Sequence, residues 1–128
     1  MNASYSILII DDSPHMRILL SKLLKNRGFA SVEVAENGLR GLEKFKAGKT
    51  DMVFLDGVMP EMDGLTTLKE IKKIDPNAIV VITTSLSDRE KVMEFKAAGA
   101  NFYLLKPFEE EKFDDTLQKI VTILGPRS

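Results

Sequence analysis

Ile7-Leu8-Ile9-Ile10-Asp11-Asp12-Ser13-Pro14 holds the unit from which the whole chain is built. Four apolar residues in an unbroken run predict a strand covered on both faces, because a strand with one wet face alternates apolar and polar residues. Two carboxylates end the run at once. Ser13 then has the side chain of a helix N-cap, and Pro14 suits the first helical position, where its missing N–H has no intrahelical partner to lose. Strand, acidic turn and helix start thus follow one another directly.

The same alternation continues outward. Apolar runs at Val32–Val34, Met52–Leu55, Ile79–Thr83 and Phe102–Leu105 recur, each followed by a longer stretch with helical spacing. The third and fourth runs are continuous like the first. Ser31-Val32-Glu33-Val34 alternates, which predicts an edge strand with one face partly wet. Gly28 closes the first predicted helix. Asn37-Gly38 opens a second, with Leu39, Leu42 and Phe45 on one face and an end near Gly48. A third carries Leu65, Leu68 and Ile71 and stops before Asp75-Pro76, since the residue before proline avoids the helical region. Ser87 and Glu90 form a capping box for a fourth that ends at Gly99. The fifth runs from about Glu109 with Phe113, Leu117, Ile120 and Val121 inward. Five strand–helix units predict an α/β fold, a doubly wound open parallel five-stranded sheet of (βα)5 type with right-handed crossovers. Five units are too few for the eight-fold barrel.

Composition narrows the function. At 128 residues the chain is expected to be a single domain over 1–128. Only Gly125-Pro126-Arg127-Ser128 follows the fifth helix, so no output domain is expected. The net charge of −1 lacks the basic excess that a nucleic-acid partner demands. Lys22, Lys25, Lys44, Lys46, Lys69, Lys72 and Lys73 are spread over several helices, which suggests solvated faces. The absence of cysteine excludes disulfides, thiolate zinc and a cysteine nucleophile, and the single histidine, His15, excludes a His-rich metal site. No apolar stretch approaches the ~20 residues of a membrane span, and a soluble, cytoplasmic protein is expected.

In an open parallel sheet, ligands bind beyond the carboxyl ends of the strands. The residues there are Asp11 and Asp12 after the first run, Asp56 after the third, Thr84 and Ser85 after the fourth, and Lys106-Pro107 after the fifth. Each alone has a plain structural reading: an acid before a helix is a cap, Thr84 ends a strand, Lys106 is a surface lysine, Pro107 marks a helix boundary. Together they resist it. Carboxylates ~5 Å apart at an effective dielectric of ~20 repel by ~3 kcal/mol per pair, so such a cluster is neutralised by a cation or keeps one acid protonated. All-oxygen ligands favour Mg²⁺ or Mn²⁺ over zinc.

The string Asp56-Gly57-Val58-Met59-Pro60-Glu61-Met62-Asp63-Gly64, with Asp11-Asp12 upstream and Thr84 and Lys106-Pro107 downstream, resembles the receiver domain of two-component response regulators, most of all the stand-alone, chemotaxis-type (CheY-like) members. The resemblance spans about Ser6 to Leu124. It implies the flavodoxin-like receiver fold with strand order 2-1-3-4-5, and a phosphorylation-operated switch rather than an enzyme. Carried over residue by residue, it implies that Asp56 accepts a phosphoryl group from a sensor histidine kinase, a phosphotransfer protein or a small acyl phosphate. Asp12, Asp56 and the backbone carbonyl of Val58 bind the cation, and Asp11 holds a metal-bound water. Lys106 pairs with the phosphoryl group, Thr84 hydrogen-bonds to it, and the Lys106–Pro107 peptide bond is cis. Tyr103 then turns inward and remodels a face of the fourth helix, fifth strand and fifth helix, with Val92, Leu105, Ser87, Arg89 and Thr116 around it. Val92 and Leu105 also have a plain reading as core.

Two positions depart from common members. Val58 and Leu86 are apolar where many relatives are polar, so neither orients a hydrolytic water, and slow self-dephosphorylation is expected. His15, near the rim, reads as a solvated helix residue. A phosphohydrolase of haloacid dehalogenase type would need an acid at Val58 and a cap domain. A flavin carrier would need a hydroxyl- and glycine-rich loop where Asp-Asp-Ser-Pro-His stands. A docking module that is never phosphorylated would not need the five signature residues intact. The expected partners are a phosphoryl donor and an unnamed downstream protein, with neither nucleic acid nor membrane, and the chain is read as a monomer or weak dimer. Chemotaxis switch, phosphorelay shuttle and phosphate sink remain open.

Overall fold

The computed structural model describes residues 4–60, 62–85 and 89–125. Its elements alternate as β1 (Ser6–Ile10), α1 (Pro14–Asn26), β2 (Ser31–Ala35), α2 (Gly38–Ala47), β3 (Met52–Asp56), α3 (Gly64–Ile74), β4 (Ile79–Thr84), α4 (Arg89–Ala97), β5 (Phe102–Leu105) and α5 (Glu110–Leu124). The strands form one parallel sheet in the order β2-β1-β3-β4-β5. β3 and β4 each run one residue further than their apolar runs. Asp56 pairs with Thr83 and Thr84 with Leu105, so both belong to the ladder rather than to the loops beyond it.

Strand alternation divides the core in two. Ile7, Ile9, Met52, Phe54, Ile79 and Val81 face α1 and α5, meeting Leu20, Leu24, Phe113, Leu117 and Ile120. Leu8, Ile10, Val53, Leu55, Val80 and Ile82 face the other way, against Leu42, Phe45, Leu68, Ile71 and Phe95 of α2, α3 and α4. With both faces covered, β3 and β4 are buried throughout, whereas β2 alternates as an edge strand should. The ammonium of Lys44 on α2 donates to the carbonyl of Val34 on β2. Arg27 ties α1 to α5 by donating to Asp114 and Glu110 and lying over the Phe113 ring.

Helix starts follow the sequence. Ser13, Asn37 and Asp63 accept hydrogen bonds from the backbone N–H of Met16, Arg40 and Thr66. Three expectations are corrected. Leu39 is exposed, because the buried stripe of α2 is Gly38, Gly41, Leu42 and Phe45. Two glycines bring α2 too close to the sheet for a third large side chain. Lys72 is half-buried, its ammonium donating to the carbonyl of Ala78 and the side chain of Asn101. Burial holds its pKa below the usual lysine range. Thr116 is buried in α5 and donates to the carbonyl of Lys112, a helix-backbone contact that takes it off the surface. The capping box at Ser87, and Leu86 and Glu61, lie outside the described residues. Among those described, no helix is long and apolar enough to cross a membrane.

Gly41 measures how tightly α2 sits on β1. A Cβ there would lie 2.4 Å from Cδ1 of the fully buried Ile10. Overpacking of this kind costs about 1–3 kcal/mol and exceeds the ~1 kcal/mol that alanine gains over glycine in a helix. Gly41→Ala is therefore expected to lower the melting temperature by roughly 5 °C. Gly48→Ala, with open space around it and an extended backbone, is expected to leave the melting temperature unchanged in the same calorimetric comparison.

Candidate functional site

The carboxyl ends of β1, β3, β4 and β5 meet at one rim, and the parallel ladder brings their terminal residues together. Asp11 continues β1 by one further step, its N–H donating to the carbonyl of Ala35 at 3.1 Å. It is completely buried. One carboxylate oxygen accepts from the N–H of Ser13 at 2.9 Å, the local turn that an aspartate makes before a helix. The other accepts from Lys106 Nζ at 2.9 Å. Asp12, next along, is exposed. Asp56, the last residue of β3, is 5% exposed, and its Oδ1 accepts from the N–H of Val58 at 3.1 Å. Lys106 Nζ lies 3.7 Å from the same oxygen. Asp11, Asp12 and Asp56 each offer a carboxylate oxygen, and these lie within 4.8 Å of one another.

The electrostatic result is uneven. Burial pushes the Asp56 carboxyl up to about 7, and the charge of Asp11 and a hydrogen bond shared with Asp12 push the same way. The Val58 N–H and the Lys106 ammonium pull it down without prevailing. Among the described residues, Lys106 is the cation that reaches these carboxylates, and three acids outweigh it. The donor set, all carboxylate oxygen, suits a hard divalent cation.

The other expected residues are placed as follows. Thr84 is buried at the end of β4, and its carbonyl accepts from the Lys106 N–H at 2.7 Å. The Lys106–Pro107 peptide bond is cis. Val58 is exposed beside Asp56, and His15 is exposed on α1. Tyr103 is half-buried on the α4 side, its ring 6.1 Å from that of Phe95. Together with Val92, Lys96, Ala100, Asn101 and Phe102 it lines a cavity of about 130 Å³. Leu105 and Arg89 are exposed.

Three contributors have no role in the sequence reading, although Gly57 and Gly64 stand within the string Asp56–Gly64. Arg17 Nη1 donates to the backbone carbonyl of Asp11 at 2.7 Å. Gly64 is buried at the start of α3, where a Cβ would lie 2.5 Å from the carbonyl oxygen of Asp56. A Cβ on Gly57 would come within 3.1 Å of the Thr84 Cβ. These two glycines let the backbone leaving β3 pass between α3 and β4. The exposed Met93 adds to the apolar surface of α4.

Comparison with known proteins agrees with this geometry. The sequence model described as the response regulator receiver domain matches residues 7–118. A chemotaxis protein CheY of Bacillus subtilis is 38% identical over 116 residues, covering 91% of this chain and 97% of its own. The sporulation initiation phosphotransferase F of the same organism is 35% identical over 117 residues, covering 91% and 94%. Among solved structures, a CheX–CheY–BeF3–Mg²⁺ complex from Borrelia burgdorferi superimposes with a TM-score of 0.84 at 30% identity, covering 95% of this chain and 90% of that one. Fold, rim and relatives coincide, and the chain belongs to the response regulator receiver family, as a CheY-like, phosphorylation-operated switch of two-component signalling.

Proposed function

We propose that Asp56 receives the phosphoryl group, with Asp11, Asp12 and Asp56 holding a divalent cation and Lys106 supplying a fixed positive charge. One arrangement carries this reading: three carboxylate oxygens within 4.8 Å of one another, with the Lys106 ammonium 2.9 Å from Asp11 and 3.7 Å from Asp56. The oxygen-only donors fit Mg²⁺, with Mn²⁺ as a substitute, and the backbone carbonyl of Val58 is a further donor in this reading. The cation, when bound, screens the charges of nucleophile and phosphoryl group.

The remaining chemistry belongs to the chain. An Asp56 oxygen attacks the phosphorus of a phosphohistidine on a sensor histidine kinase or phosphotransfer protein. The O–P bond forms, the N–P bond breaks, and the imidazole nitrogen keeps the electron pair. With a small acyl phosphate, the carboxylate of the donor leaves instead. Lys106 shifts a hydrogen bond from Asp11 to the phosphoryl oxygens, and the Thr84 hydroxyl donates to the same group. Drawing Thr84 toward the phosphoryl group opens space on the α4 side. Tyr103, already packed on Phe95 there, moves further inward and alters the face of α4, β5 and α5 that Val92, Leu105 and Arg89 border. A downstream protein reads that face; neither nucleic acid nor membrane enters this reading, and the chain acts in the cytoplasm as a monomer or weak dimer. Phosphotransfer is assisted by the chain itself. Hydrolysis is slow, because the exposed Val58 cannot orient a water and Leu86 is equally apolar.

Intact mass after incubation with acetyl phosphate tests the assignment. A single phosphoryl adduct is expected in wild type with Mg²⁺, and none in Asp56→Asn or in chelator. An adduct that survives Asp56→Asn overturns the assignment. Stability supplies a second check. Because Asp56 titrates at about 7 in the folded chain against 3.8 for a free carboxyl, folding favours its protonated form. That contribution is complete below about pH 4 and is lost as pH rises through about 7. In chelator at pH 8, Asp56→Asn is expected to melt roughly 5 °C or more above wild type, with the gap closing toward pH 4 in calorimetry. Finally, Val58→Asn is expected to shorten the lifetime of the phosphorylated form several-fold, followed as decay of the adduct mass; an unchanged lifetime removes Val58 from the account of slow hydrolysis.

A further inference from the structure

We infer that Arg17 is a positioning residue for the cation site, acting through the peptide unit that joins Asp11 to Asp12; the inference rests on the reading of the acidic cluster as that site. Arg17 Nη1 donates to the Asp11 carbonyl at 2.7 Å. That carbonyl belongs to a rigid planar group whose other end is the amide of Asp12. Its orientation therefore sets the direction in which Asp12 leaves the chain.

The rest of Asp11 is already committed: its N–H to Ala35, and its two carboxylate oxygens to Ser13 and Lys106. Asp12 is exposed, so burial does not hold it. The carbonyl held by Arg17 acts with the hydrogen bond that Asp12 shares with Asp56 to aim Asp12 at the cluster. The placement of Arg17 supports a dedicated role. It lies one turn into α1 and reaches back to the strand end that carries Asp11 and Asp12.

Charge and position predict opposite signs here. If Arg17 acted only as a nearby positive charge, removing it would tighten cation binding. If it aims Asp12, removing it weakens binding. Mn²⁺ affinity, read from the EPR signal of free Mn²⁺ with the full chain, separates the two. Arg17→Met is expected to bind Mn²⁺ about tenfold more weakly, the usual scale for losing a group that orients a ligand. Arg17→Lys should recover part of the loss, because an ammonium can still reach one carbonyl. Lys22→Met, which removes the same charge from the same helix, should bind at least as tightly as wild type. Melting in chelator identifies folded variants, and Arg17→Gln, gentler on packing, replaces Arg17→Met if the latter does not fold. Unchanged or tighter binding by the folded variant overturns the inference. Failure of wild type itself to bind Mn²⁺ overturns the underlying reading of the site, a result distinct from equal binding by wild type and variant.

Discussion

The ion pair between Lys106 and Asp11, closed at 2.9 Å with the two side chains 19% and 1% exposed, is the contact around which the rim is organised. Removing two charges from water costs several kcal/mol per ion, so such a pair persists only where its remaining hydrogen-bonding groups are satisfied. Asp11 meets that condition through Ser13, Arg17 and Ala35. The sheet order sets the reach required of Lys106. It starts beyond β5, and β4 and β3 stand between it and β1. A parallel sheet alone puts the ends of these strands on one side, which is why the chemistry of this chain is inseparable from its topology.

The same enclosure sets the character of Asp56. In the proposed reaction Asp56 must be ionised to attack phosphorus, yet burial pushes its carboxyl up to about 7. On that reading, positive charge brought to the site favours the ionised form of Asp56. On the same reading a divalent cation supplies that charge, and the burial of Asp11 and Asp56 makes its effect larger than it would be in water.

Much of this was legible in the linear sequence. Continuous apolar runs identified the buried strands, and the alternation of Ser31–Val34 placed β2 at an edge, because burial on one face or two writes directly into residue pattern. The acids, hydroxyl and lysine at the strand ends were visible for the same reason. What escaped were relations between distant segments. Leu39 has helical spacing with Leu42, but the plane of the buried stripe was set by Gly38 and Gly41, whose contribution is the absence of a side chain. Lys72 reads as solvated until the turn holding Asn101 is folded over it. Arg17 acts on a backbone carbonyl, and backbone groups are the same at every position of a sequence. Gly64 matters through its clearance from the Asp56 carbonyl, which only tertiary structure defines.

The link from Lys44 to Val34 bears on how this molecule behaves in a crowded solution. Ala35 turns its carbonyl inward, toward β1, where it accepts from Asp11. Carbonyls alternate along a strand, so that of Val34 points outward from the edge of the sheet. An open edge of this kind is a template on which a strand from another molecule can pair. The ammonium of Lys44 occupies that acceptor, and Glu33 and Ser31 keep neighbouring positions polar. A lysine from the next helix thus acts as a guard against edge-to-edge polymerisation.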